Sequence, residues 1–184
     1  MLSRAVSILR LVIIAVAIPF LLLSSNISWV VNWPPLYSYG FEKYDVDLYT
    51  GIQIKQLVSA GKQIRDYFGD EKEFITVRVE KDGEIIPNLY NHREILHMKD
   101  VKELIKGVYR SQQVSALLIA VGVLLGFALP IPGHFGRSVK WICRGGGITL
   151  AATLFVGLLA LGGFQRFFLY FHLISFSNDL WMLD

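Results

Sequence analysis

The sequence predicts a helical membrane protein: a bundle of three transmembrane helices carrying a small extracytoplasmic α+β domain. Three observations carry this. Hydrophobic residues make up 53% of the 184-residue chain and charged residues 18%, against about 25% charged in an average soluble domain. The charges concentrate in Phe41–Arg110, with a few near the N-terminus and around Arg137–Arg144. Three long stretches carry none, and roughly 20 apolar residues are enough to cross a bilayer.

The first span, residues 1–31, rests on the unbroken apolar run Leu11–Leu23, preceded by Arg4 and Arg10. A run of this length also fits a cleaved signal peptide. Against cleavage, no A-x-A site follows Leu23, and apolar character resumes at Ile27–Trp33. Trp29 and Trp33 suit an interfacial aromatic belt. A retained first helix is therefore expected. Residues 113–132 form the second span. Gly122 and Gly126 make a G-x-x-x-G pair there, which permits close helix contact but is equally the ordinary glycine content of membrane helices. Pro130 and Pro132 are expected to end that helix. Residues 145–163 form the third span, followed by an aromatic cluster (Phe164, Phe167, Phe168, Tyr170, Phe171) in an interfacial segment, 164–184.

Sidedness follows from basic residues. Residues 133–144 read as a short loop holding Arg137, Lys140 and Arg144 and no acid, so this loop is expected on the cytoplasmic side with Arg4 and Arg10. Residues 32–112 are then outside. The net charge of +3 sits at the edges of apolar spans, which argues against a nucleic-acid partner. Cys143 is the single cysteine, so no internal disulfide forms.

The outer segment reads as folded. Ile54–Phe68 has helical spacing of apolar residues. Phe74–Val79 is strand-like, Lys81-Asp82-Gly83-Glu84 signals a turn, and Ile85-Ile86 returns, which predicts a β-hairpin. Arg93–Tyr109 reads as an amphipathic helix running into the second span.

Topology sorts the four histidines. His134 falls in the cytoplasmic loop; His92, His97 and His172 fall outside. His172 lies in the apolar stretch Phe167–Phe176, where burial favours a neutral imidazole; a hydrogen-bonded boundary histidine explains it as well. His97 has Glu94 three residues before it and Asp100 three after it, so either carboxylate can orient the ring on a helix; an ordinary charged helix face has the same pattern. His92 and His97 superficially imitate the zinc motif H-E-x-x-H, but histidines five apart point about 140° from each other. No metal or other cofactor is expected. There is no G-x-S-x-G and no phosphate loop.

Three blocks then carry a resemblance: Phe41-Glu42-Lys43-Tyr44 with Tyr49-Thr50-Gly51; Asn91–Lys102 with its His-Met-Lys-Asp-Val core; and Phe171–Trp181, with Phe-His and Phe-Ser-Asn-Asp-Leu-Trp. Over most of its length the chain resembles the bacterial lipoprotein intramolecular transacylase family. The resemblance implies a multi-pass membrane acyltransferase whose substrate is a diacylated lipoprotein held among membrane lipids. The reaction implied moves the sn-2 acyl chain of the diacylglyceryl-cysteine to its α-amino group. His97 and His172 match the family's two catalytic histidines. The supporting residues expected are Glu94, Asp100, Tyr44, Tyr90 and Asn178, with the active site at the outer leaflet. The family usually has a fourth span after the Asn-Asp-x-Trp block, and the chain ends before one. A non-catalytic scaffold or accessory protein with an outer binding domain is the alternative reading.

Overall fold

The computed structural model describes residues 2–128 and 133–182. Among the described residues, three helices are long and apolar enough to cross a membrane. α1 (Leu2–Val31) is continuous across the run read as the first span. α5 (His92–Ala128) begins at the amphipathic segment and continues without a break into the second. Its last 18 residues, 111–128, carry no charge, whereas the charges of α5 all fall within His92–Arg110. Pro130 and Pro132 lie outside the described residues.

The segment 133–144 is not the expected loop. α6 runs over His134–Gly162, so Arg137, Lys140 and Arg144 sit on its first turns. Lys and Arg are good helix formers, and their charge marks the edge of an apolar stretch rather than the edge of a helix.

The chain divides into two compact units: residues 1–27 with 107–171, and residues 28–106 with 172–184. In the first unit, glycine sets the packing. A Cβ at Gly122 would lie 2.9 Å from Ile14 Cγ1, and one at Gly145 would lie 2.8 Å from Ile18 Cβ and 2.9 Å from the Ala15 carbonyl oxygen. Both α5 and α6 thus approach α1 where only glycine fits. Gln112 donates to the Ser25 hydroxyl at 3.1 Å. Arg10, expected at the membrane edge, is buried and donates from Nη1 to the Gly122 carbonyl at 2.9 Å.

The second unit is the α+β domain, with more helix than the sequence suggested. α2 (Pro34–Lys43) and α3 (Val46–Thr50) precede α4 (Ile54–Gly69). Pro34 and Pro35 open α2, where a missing N–H costs nothing. The hairpin is β1 (Val79–Lys81) and β2 (Glu84–Ile86), antiparallel, with Lys81 opposite Glu84. Asp82 and Gly83 both have positive φ, as a type I′ turn requires.

Strand pairing starts later than the expected Phe74–Val79. Ile75, Val77 and Val79 are buried in alternation, yet before Val79 the backbone pairs mainly with side chains, apart from the Leu89 N–H, which donates to the Val77 carbonyl at 2.8 Å. Gln63 accepts from the Arg78 N–H and donates to the Arg78 carbonyl, both at 2.9 Å. Asn88 accepts from the Val77 N–H at 3.1 Å. The two amides satisfy the backbone as a neighbouring strand would. Under this layer, Lys102 of α5 is only 2% exposed; its ammonium meets Asp70 and the Lys72 carbonyl, each at 2.7 Å, and lies 4.1 Å from the Tyr67 ring centroid. The final helix, α7 (Phe164–Ser175), takes up the first part of the segment 164–184.

Candidate active site

The start of α5 fixes where its histidines fall. Asn91 Oδ1 accepts from the Glu94 N–H at 3.0 Å, and the Glu94 carboxylate accepts from the Asn91 N–H at 2.8 Å. This is a reciprocal capping box. The Asn91 carbonyl takes the first helical bond, from Ile95. Arg93, His97 and Asp100 then stand at i, i+4 and i+7, on one face of the helix.

The C-terminal strap, Phe176–Met182, is tied to that face. Arg93 donates to the Asp179 carbonyl at 2.5 Å and lies 3.6 Å from its carboxylate. Asn178 donates to Asp100 at 2.8 Å. Its amide oxygen accepts from the Leu180 N–H, and its carbonyl accepts from the Trp181 indole N–H at 2.9 Å. The strap folds back as a result. Trp181 rests on His172, with ring centroids 5.0 Å apart.

The rings of His97 and His172 have centroids 6.3 Å apart. Phe176 touches both, edge-on to His97 at 5.1 Å and tilted to His172 at 5.6 Å. His172 is buried. His97 Nδ1 is buried and has no hydrogen-bond partner among the described residues. Burial draws the His97 pKa below 6.5, and neighbouring His172 adds to this, while Asp100 opposes it. The neutral ring is therefore favoured.

The predicted supporting residues divide. Asp100 and Asn178 lie at the site as a hydrogen-bonded pair. Neither Glu94 nor Asp100 hydrogen-bonds His97; the Glu94 carboxylate is taken by the cap, which corrects the expectation that it orients the ring. Tyr90 is half-buried, and burial together with Glu94 raises its pKa. Tyr44 caps α2 and is exposed under the Lys43 ammonium; no hydrogen bond or ring contact joins it to either histidine. Cys143 is exposed. Among the described residues, no three His, Cys, Asp or Glu side chains are grouped as a metal ion would need. Sequence reasoning missed Arg93, Phe176 and the contact of Trp181 with His172. The i, i+4, i+7 spacing of 93, 97 and 100 was the available signal for Arg93.

A family model described as lipoprotein intramolecular transacylase Lit matches residues 12–184. No curated protein matches the chain. Similar solved structures include the membrane integral lipoprotein intramolecular transacylase Lit from Bacillus cereus, with a TM-score of 0.79 at 16% identity, covering 98% of this chain and 78% of that one. A form of the same protein with a histidine-to-arginine mutation has a TM-score of 0.72 at 15% identity, covering 100% of this chain and 75% of that one. A histidine-to-alanine form has 0.70 at 14%, covering 100% and 77%. At these identities the likeness concerns the fold.

Proposed function

The chain belongs to the lipoprotein intramolecular transacylase family and is a membrane acyltransferase, and from this we propose that it moves the sn-2 acyl chain of a diacylglyceryl-cysteine to that cysteine's α-amino group. His97 and His172 carry the proton transfers. The observation that supports this most is their convergence: residues 75 apart in sequence stand in one compact unit with ring centroids 6.3 Å apart.

The reaction is an ester aminolysis within one substrate. The α-amine has an ordinary pKa near 7.7–8.0, so part of it is already neutral. Its nitrogen attacks the ester carbonyl, a C–N bond forms and the C–O bond to glycerol breaks. One proton leaves the nitrogen and one arrives on the glyceryl oxygen, giving an amide and a free hydroxyl. Burial keeps His97 neutral, which suits it to accept the amine proton; its unpartnered Nδ1 is a group a substrate can satisfy. His172 receives that proton from His97 by way of solvent on one ring nitrogen and then releases one from the other to the departing glyceryl oxygen. No acyl-enzyme is needed. Holding amine and ester together contributes about 7–11 kcal/mol.

In the same proposal the N-terminus is cytoplasmic and the site faces the outer leaflet. The basic residues Arg137, Lys140 and Arg144 near the start of α6 support this. Separate His97→Ala and His172→Ala variants test the reading. Each is expected to lower formation of N-acyl lyso-lipoprotein by about 10²–10⁴-fold, with acyl position determined by mass spectrometry on a reporter lipoprotein. Turnover at the wild-type rate in either variant sinks it.

A further inference from the structure

A groove of about 360 Å³ lies between α2 and α4. α4 comes close to α2 at Gly61, where a Cβ would stand 3.3 Å from the Tyr37 ring. Pro34, Tyr37 and Val58 form apolar walls, and Lys55, Lys62 and Arg65 line the groove with no acid among its residues. Positions 55, 62 and 65 fall on one side of α4. Among the described residues Lys55 and Lys62 have no ion pair, while Arg65 is bridged at 2.7 Å by the exposed Asp66.

The groove opens where the chain leaves its first apolar helix. Pro34 follows Val31, the last residue of α1, by three positions. The Tyr37 hydroxyl donates to the Val31 carbonyl at 2.8 Å. Trp29 and Trp33 stack beside it with centroids 4.8 Å apart, the kind of pair that sits at headgroup depth.

We propose that this groove binds the headgroup of an anionic phospholipid. Lys55, Lys62 and Arg65 face the phosphodiester oxygens, and Tyr37, Pro34 and Val58 pack against the glycerol and first methylenes. Cations next to a membrane-crossing segment favour anionic lipid, and Arg and Lys both suit phosphate. The apolar walls separate this from a site for free phosphate, which has nothing to set against them. The site is distinct from the histidine pair, and its test reads binding rather than turnover.

The test uses the full chain purified in mild detergent with phosphatidylglycerol or phosphatidylcholine added, and counts retained lipid by native mass spectrometry. Wild type is expected to retain phosphatidylglycerol in preference. K55Q/K62Q is expected to lose that preference by about tenfold or more, and K55R/K62R to keep it. Should K55Q/K62Q fail to fold, Val58→Trp, which fills the groove without changing its charge, is expected to lose the preference too. Wild-type retention by a folded K55Q/K62Q or Val58→Trp variant overturns the proposal. So does displacement of the lipid by an acidic peptide at equal charge concentration, which would assign the groove to a polypeptide.

Discussion

Asn178 donates its side-chain amide to Asp100 at 2.8 Å, one helical turn beyond His97. This bond links the strap that carries Trp181 to the helix that carries His97. Losing it is expected to loosen His172 without unfolding the protein. Asn178→Ala should lower kcat about ten- to a hundredfold, since small displacements of reacting groups carry such penalties, and leave KM nearly unchanged. Asp100→Ala on top of Asn178→Ala should add little, because both remove the same bond. Steady-state kinetics on the single and double variants decide this; fully multiplying losses argue against a shared role.

The pH profile follows from His97. Its folded pKa is held below 6.5, and its neutral form is the proposed base. Activity should therefore rise with pH through an acid limb centred below 6.5. Asp100 raises that pKa, so Asp100→Asn should shift the limb further toward acid. A limb that moves upward in Asp100→Asn contradicts the assignment. The comparison is made on kcat/KM, which reports the free enzyme.

The Lys102–Asp70 pair is a matter of stability. Asp70→Asn leaves the Lys102 ammonium, 2% exposed, without its carboxylate. Breaking a buried pair by removing one partner costs several kcal/mol. Because Asp70 is a third exposed and the Lys72 carbonyl and Tyr67 ring remain, a loss of about 1–3 kcal/mol is expected. Burial tends to raise the Asp70 pKa, but hydrogen bonds from Lys102 and the Lys72 backbone and the charges of both lysines bring it below 3.8. The stabilisation is thus complete above pH 3.8 and lost as pH falls through the lower folded value. Thermal denaturation in detergent across pH 3–6 reads both effects.

Two adjacent glycines give a sharp contrast. Gly145→Ala places a methyl 2.8 Å from Ile18 Cβ and 2.9 Å from a backbone oxygen, whereas a Cβ at Gly146 meets nothing within 4 Å. Gly145→Ala should destabilise the helical unit by about 1–3 kcal/mol, and Gly146→Ala should be neutral or slightly stabilising. Equal melting temperatures for the two variants would remove the close approach of α6 to α1.

The elements carried by period and composition were legible in the sequence. The three apolar helices follow from uncharged runs, α4 from its 3.6-residue pattern, and the hairpin from Asp82-Gly83. The residues 134–144 were misread because basic charge was taken to end a helix as well as a membrane span. α2 and α3 escaped notice because short, mixed segments show no clear period; their form depends on packing against α4. At the candidate site, topology put His97 and His172 on one side of the membrane and the resemblance paired them; what the sequence does not display is the strap that holds Trp181 against His172. Glu94 was misassigned because N-x-x-E reads equally as a cap and as a carboxylate near a histidine. Only the helix start, fixed by the Asn91 bonds, separates the two.

Gln63 offers a last consequence. Its amide occupies both hydrogen-bonding groups of Arg78, next to a hairpin only three residues long per strand. An unpaired peptide edge invites another polypeptide to add a strand. At Arg78 a single glutamine side chain, already part of the fold, fills the place such a companion would take.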